Sequence, residues 1–165
     1  MKTLYLMRHA KSVQDLNNIA DIDRPLMHEG VDNTHTMADY LKSEKIKIRH
    51  IVSSPAKRAI ATAEIMAREF GIGKDGILTY DELYKPDIPA FEDSIFSLPD
   101  DWDHVLLISH NPGITQFAMS LVHPGETMPT AGILSLSFEM ERWINLYASP
   151  PVFNFFIQPK SIHKT

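Results

Sequence analysis

The chain has 165 residues, 44% of them apolar and 22% charged, which is enough for one domain with a substantial core. A formal charge of −5 argues against a general nucleic-acid binder, so any anionic ligand must be drawn by a local cluster of basic groups. Cysteine is absent, which excludes disulfides, thiolate–zinc sites and a cysteine nucleophile, and no apolar run reaches the length of a membrane span.

The first stretch, Thr3 to Leu6, is apolar and of strand length, and it turns polar at Arg8-His9. A buried strand that ends this way delivers reactive side chains to the edge of a parallel sheet. Residues 11–23 lack a clear period and read as a loop, with a helical turn as an option within it, closed by Asp23-Arg24-Pro25-Leu26, where proline stops any helix. Val31, Met37, Ala38 and Leu41 predict a helix over His28 to Ser43. Arg49 to Ser53 is the second strand. Ser54-Pro55 then predicts a helix start, with a capping serine and a proline in the first turn. That helix runs from Ala56 to Phe70 and ends at Gly71.

Gly71, Gly73 and Gly76 have GxGxxG spacing, but they follow a helix and precede the strand Ile77 to Tyr80, the reverse of a dinucleotide site. They are read as a helix terminator and a turn. Pro86 to Leu98 reads as a loop and a short helix, and His104 to Ser109 as a central strand ending at His110. Asn111-Pro112-Gly113 turns the chain into a helix over Ile114 to Val122. Ala131 to Phe138 alternates like a strand, Trp143 to Tyr147 is read as a further strand, Val152 to Ile157 as a late one, and the tail from Lys160 as loose. The expectation is a single domain over 1–165, a three-layer α/β/α sandwich with a mostly parallel sheet and an antiparallel edge. A cytoplasmic location without signal peptide or membrane partner is expected with it.

Three strand-to-helix junctions share one chemical theme: Arg8-His9, Ser54-Pro55-Ala56-Lys57-Arg58, and His110-Asn111-Pro112-Gly113. In a parallel sheet the carboxyl ends of strands lie on one edge, so the three can converge. Singly, Arg58 reads as a solvated helix arginine paired with Glu64 or Glu69, His110 as a strand-end histidine and Lys57 as surface. Together, two arginines, two histidines and helix N-termini suit a tetrahedral dianion. None of the eight histidines has a ligand spacing such as HExxH, so no metal site is read.

These motifs resemble the histidine phosphatase superfamily. Arg8-His9-Ala10-Lys11-Ser12 is similar to its arginine–histidine signature, Ser54 to Ala59 with Thr62-Ala63 to its second motif, and Ser109 to Gly113 to its third. Asp23-Arg24-Pro25-Leu26 with Gly30, and the compact length, resemble the SixA-type phosphohistidine phosphatase branch. Two positions depart from the common pattern, Ala10 after the histidine and Ser109 before His110, where glycine is usual.

The resemblance implies a phosphoglycerate mutase-like fold and a phosphatase without metal or cofactor. His9 would be the nucleophile, and Arg8, Arg58 and His110 would hold the phosphoryl oxygens, with Arg24 orienting the pocket. Glu82 stands where a family general acid is expected; a solvated carboxylate in a turn is the equal alternative. The substrate implied is phosphohistidine on a protein. The competing readings are a phosphomonoesterase acting on a small phosphorylated metabolite with Glu82 as acid, and a phosphoprotein-binding module without turnover. A mutase fits less well, because re-donating the phosphoryl group favours a closed, water-poor site.

Overall fold

Apolar residues run without interruption through the first and fourth strands because both faces of their sheet are covered. The computed structural model describes residues 1–14, 18–123 and 125–162. Its strands are β1 (Lys2–Arg8), β2 (His50–Ser53), β3 (Ile77–Thr79), β4 (His104–Ser109), β5 (Ile133–Phe138) and β6 (Val152–Ile157). They form one sheet in the order β3-β2-β4-β1-β5-β6. The first four in that order pair in parallel, while β5 is antiparallel to both β1 and β6. The sandwich with an antiparallel edge is therefore the fold.

Side-chain alternation divides the core between the two faces. Leu4, Leu6, Val105 and Leu107 face one layer, with Phe91 and Ile95 of α3 (Ile88–Phe96) and Ile114 and Phe117 of α4 (Gly113–Leu121). Tyr5, Met7, Leu106 and Ile108 face the other, with Met37 and Leu41 of α1 (His28–Ser43) and Ala59, Ala63 and Met66 of α2 (Lys57–Glu69). Phe91 and Phe117 stack with ring centroids 4.9 Å apart, which adds about 1 kcal/mol to their burial and ties α3 to α4.

The register places the three junctions side by side. Arg8 is opposite Ser109, and Ser53 is opposite Ile108. One further rung extends each pairing: His9 N–H donates to Ser109 O at 3.1 Å and Ser54 N–H to Ile108 O at 3.0 Å. His9, Ser54 and His110 thus leave the sheet along one edge.

Gly30 lets α1 lie against the loop that follows β1. A Cβ there would stand 2.2 Å from the Lys11 carbonyl oxygen, a backbone atom that no side-chain rotation can move. Gly30→Ala is expected to destabilise the protein by about 1–3 kcal/mol despite alanine's better helix propensity. Urea unfolding checks this, and an unchanged midpoint would contradict the packing.

Several sequence expectations are corrected. Ser54 does not cap α2: the helix begins at Lys57, its cap residue Ala56 makes no side-chain cap bond, and the Ser54 hydroxyl is turned to another use. Trp143 to Tyr147 is not a strand. Trp143–Asn145 forms a 3₁₀ turn because Trp143 is buried in the core and its indole N–H donates to Trp102 O. The tail read as loose from Lys160 begins within a short helix, α5 (Pro159–Ile162), and its residues 163–165 lie outside the described residues. The glycine cluster is a helix terminator and turn, with Gly71 at φ +68° and a 3₁₀ turn over Lys74–Gly76. The loop read over 11–23 holds a 3₁₀ turn at Asp21–Asp23, and its residues 15–17 lie outside the described residues.

Candidate active site

His9 is 6% exposed at the end of β1, and its ring lies 5.0 Å from that of His110. Its Nδ1 is 2.8 Å from Ala10 O. A carbonyl only accepts, so Nδ1 carries the proton and Nε2 keeps the lone pair.

His110 Nε2 lies 2.7 Å from the Ser54 hydroxyl, which accepts from Ala56 N–H at 3.2 Å. A hydroxyl can donate to an imidazole nitrogen or accept from one; when Ser54 donates, the His110 proton sits on Nδ1, which is buried without a partner among the described residues.

Both arginines are held by their outer nitrogens. Arg8 Nη1 donates to Met128 O at 3.2 Å. Asn111 Nδ2 shares that carbonyl at 2.8 Å, so the third junction braces the first. Arg58 Nη1 donates to Asp21 O at 2.7 Å, and Nη2 to Asp21 Oδ2 at 3.2 Å. In each arginine the Nε–H is buried and unpartnered among the described residues. Three orphaned donors, Arg8 Nε, Arg58 Nε and His110 Nδ1, thus come from the three junctions. The remaining unpartnered nitrogens, His50 Nδ1 and His104 Nδ1, belong to the opposite ends of β2 and β4.

A crevice of about 410 Å³ opens beside these groups, lined by Asp21, Arg24, Arg58, Tyr84, His110 and Asn111 among others; Arg8 and His9 are not among its lining residues. Arg24 reaches it from the loop: Nε donates to Asp21 Oδ1 at 3.0 Å and Nη1 to Ser12 Oγ at 2.9 Å. Glu82 does not line it. That residue is exposed in the 3₁₀ turn Asp81–Leu83, where Ser94 Oγ donates to Oε1 at 3.4 Å. Arg58 is buried and paired with Asp21 rather than with Glu64 or Glu69, whereas Lys57 is exposed.

Asp21, Tyr84 and the Ser54 hydroxyl are the functional groups that sequence reasoning passed over. Asp21 and Tyr84 lie in loops without period, after β1 and β3, and they meet because both loops fold over the same sheet edge although β4 and β2 separate the two strands.

Electrostatics favour neutral histidines and an anionic guest. Burial lowers His9 to about 4; the Ala10 carbonyl opposes this, and Arg58, Arg8 and Arg24 add to it. Burial, then His9 and Arg58, lower His110 to about 3. Burial and the charge of Arg58 push Arg8 below its usual value, a strain that a bound anion relieves. Asp21 is held far below the usual carboxylate range by the Tyr84 hydroxyl first, then by Arg24 and Arg58, so it is ionised.

A pH dependence follows. His9 loses its lone pair to a proton only near pH 4, so the acid limb of any reaction that uses that lone pair is expected near 4 rather than at the ordinary 6.5. A limb at 6.5, after allowance for substrate ionisation, would contradict it. Stability carries the same sign. Between 6.5 and about 4 the unfolded chain binds more protons than the folded one. Stability should fall as pH falls through that window, by up to about 1.4 kcal/mol per pH unit for each of the two histidines.

Comparison with known proteins agrees with this geometry. The profile of the histidine phosphatase superfamily (branch 1) matches residues 4–83, which hold the first two junctions. The chain is similar to that superfamily, and the relatives it resembles put the similarity on the SixA-type branch. It is 27% identical over 140 residues to the phosphohistidine phosphatase SixA of Escherichia coli (strain K12), covering 82% of this chain and 85% of that protein. An uncharacterized protein of Mycobacterium leprae is 29% identical over 136 residues, with 80% and 81% covered. The solved structure of the protein histidine phosphatase SixA complexed with tungstate superposes with a TM-score of 0.78 at 27% identity, over 97% of this chain and 99% of that one. Among the described residues there is no group of three or more His, Asp or Glu that could hold a metal ion, and no helix is long and apolar enough to cross a membrane.

Proposed function

We propose that the protein removes the phosphoryl group from phosphohistidine on a protein, through a phosphohistidine intermediate on His9. The observation that carries this reading is the trio of buried, unpartnered N–H donors beside a histidine whose Nε2 is free. Unpartnered buried donors are costly to leave unmade, and a tetrahedral phosphoryl group would satisfy all three. That the related SixA structure holds tungstate, a tetrahedral oxyanion, supports the same occupant.

His9 Nε2 attacks phosphorus as the substrate P–N bond breaks, and that bond's electron pair leaves on the substrate imidazole, which takes a proton from solvent. Water then attacks the phosphoryl group on His9, the new P–N bond breaks, and phosphate departs with His9 restored. Arg8 Nε, Arg58 Nε and His110 Nδ1 stabilise the oxygens while charge is redistributed, and two guanidinium charges do here what a divalent cation does elsewhere.

The leaving group favours phosphohistidine. An alkoxide needs a general acid, whereas imidazole, with a conjugate-acid pKa of roughly 6.5, needs little help. Asp21, the carboxyl paired with Arg58, is ionised and engaged, so it has no proton to give, and Glu82 is exposed in its turn with Ser94 as its partner. The test is hydrolysis of a phosphohistidine protein beside a panel of alkyl phosphates by wild type and Glu82→Gln. Preference for phosphohistidine, unaffected by Glu82→Gln, supports the reading. Faster turnover of alkyl phosphates, abolished by Glu82→Gln, would make the protein a phosphomonoesterase. Binding without turnover of either would make it a phosphoprotein-binding module.

A further inference from the structure

The loop after β1 places a carboxylate inside a site otherwise built for anions, and that carboxylate needs a purpose. Asp21 is the hub of the crevice wall. Its backbone oxygen and Oδ2 take both outer nitrogens of Arg58, at 2.7 and 3.2 Å, its Oδ1 takes Arg24 at 3.0 Å, and Oδ2 also accepts from the Tyr84 hydroxyl at 2.6 Å. Three segments of the chain are joined through this one side chain.

Resting on the phosphatase reading above, we infer that Asp21 is a positioning residue, which occupies the outer edge of the Arg58 guanidinium so that the edge carrying its buried Nε–H faces the phosphoryl group. A guanidinium has five donors in a rigid fork and by itself prefers to grip a phosphate with two of them. Interactions that bind ground and transition states equally do not raise kcat. By taking one N–H from each Nη, Asp21 fixes the orientation of the guanidinium and keeps the Nε donor aligned. Its negative charge weakens the hold on substrate and product phosphate.

This makes an unusual demand on a variant. Asp21→Asn keeps the size and one acceptor oxygen but removes the charge and one arginine contact. Turnover of the phosphohistidine protein should fall about tenfold in kcat, while inorganic phosphate, measured by calorimetry, should bind as tightly as to wild type or up to about tenfold more tightly. Tyr84→Phe, which removes one of the groups holding Asp21, should shift both quantities the same way by a smaller factor. It should add little to Asp21→Asn in the double variant.

Unchanged kcat in Asp21→Asn overturns the inference. So does a parallel loss of kcat and phosphate affinity, because that pattern means Asp21 merely supports the fold of the site. If wild type hydrolyses none of the substrates, the phosphatase reading fails by itself. The calorimetry then judges Asp21 separately, with weaker phosphate binding in the variant counting against its pairing with Arg58 and equal or tighter binding for it.

Discussion

Replacing His9 with alanine is expected to lower turnover of every phosphorylated substrate by on the order of 10⁴-fold or more, with phosphate affinity changed by only a few-fold. The two effects separate because His9 is not one of the three unpartnered donors. Its Nδ1–H is committed to the Ala10 carbonyl at 2.8 Å, so its contribution is the Nε2 lone pair. Loss of that lone pair removes the covalent route and leaves Arg8, Arg58 and His110 to bind. The cavity left by the ring costs some stability, so His9→Gln is the companion variant, larger and able to hydrogen-bond but unable to attack. Brief exposure to a phosphohistidine donor followed by mass spectrometry should find the phosphoryl adduct on wild type and on neither variant. Substantial turnover by both would sink the assignment of His9 as nucleophile.

Arg8→Lys should cost about 10²-fold or more in kcat/KM even though the positive charge is kept. Arg8 is tethered through Nη1 to Met128 O, and its Nε–H is the donor left over. A lysine ammonium can serve the carbonyl or the phosphoryl oxygen, but it is one point and cannot do both at the arginine's spacing. Pressure from Arg58, which already pushes Arg8 below its usual value, bears on any cation placed there. The check is steady-state kinetics beside thermal unfolding. A loss in kcat/KM with an unchanged melting temperature supports a role for the donor's position, and wild-type kinetics would show that charge alone suffices.

The candidate site was legible because its chemistry is concentrated in short words. Arg8-His9, Ser54 to Arg58 and Ser109-His110 each follow an apolar run, and chain order alone says that parallel strands bring such ends to one edge. His9, Arg8, Arg58 and His110 were read correctly as neighbours for that reason. Glu82 was legible only as a carboxylate after a strand. Whether it reaches the crevice depends on the path of the 3₁₀ turn and α3, and that path gives it to Ser94. Asp21 had no local signal for its place in the site, because Arg58 and Tyr84, which draw it there, lie 37 and 63 residues away.

The same division holds for the fold. Strand alternation, the helices of α1 and α2 and the terminator at Gly71 were determined by apolar period and by glycine's backbone freedom, properties of a few consecutive residues. Ser54 looks locally like a helix cap, but its hydroxyl is drawn to His110, since a buried imidazole nitrogen must be satisfied. Lys2 looks like a surface lysine at the chain start. It is 2% exposed, its ammonium donating to Asp100 O at 2.6 Å and Asp103 Oδ1 at 2.9 Å, across about a hundred residues of sequence. Sequence by itself determined most of the strands and helices and which side chains stand at the three junctions. Tertiary structure alone decided the partner of each polar group, because that choice depends on which loops become neighbours when the strands close into a sheet.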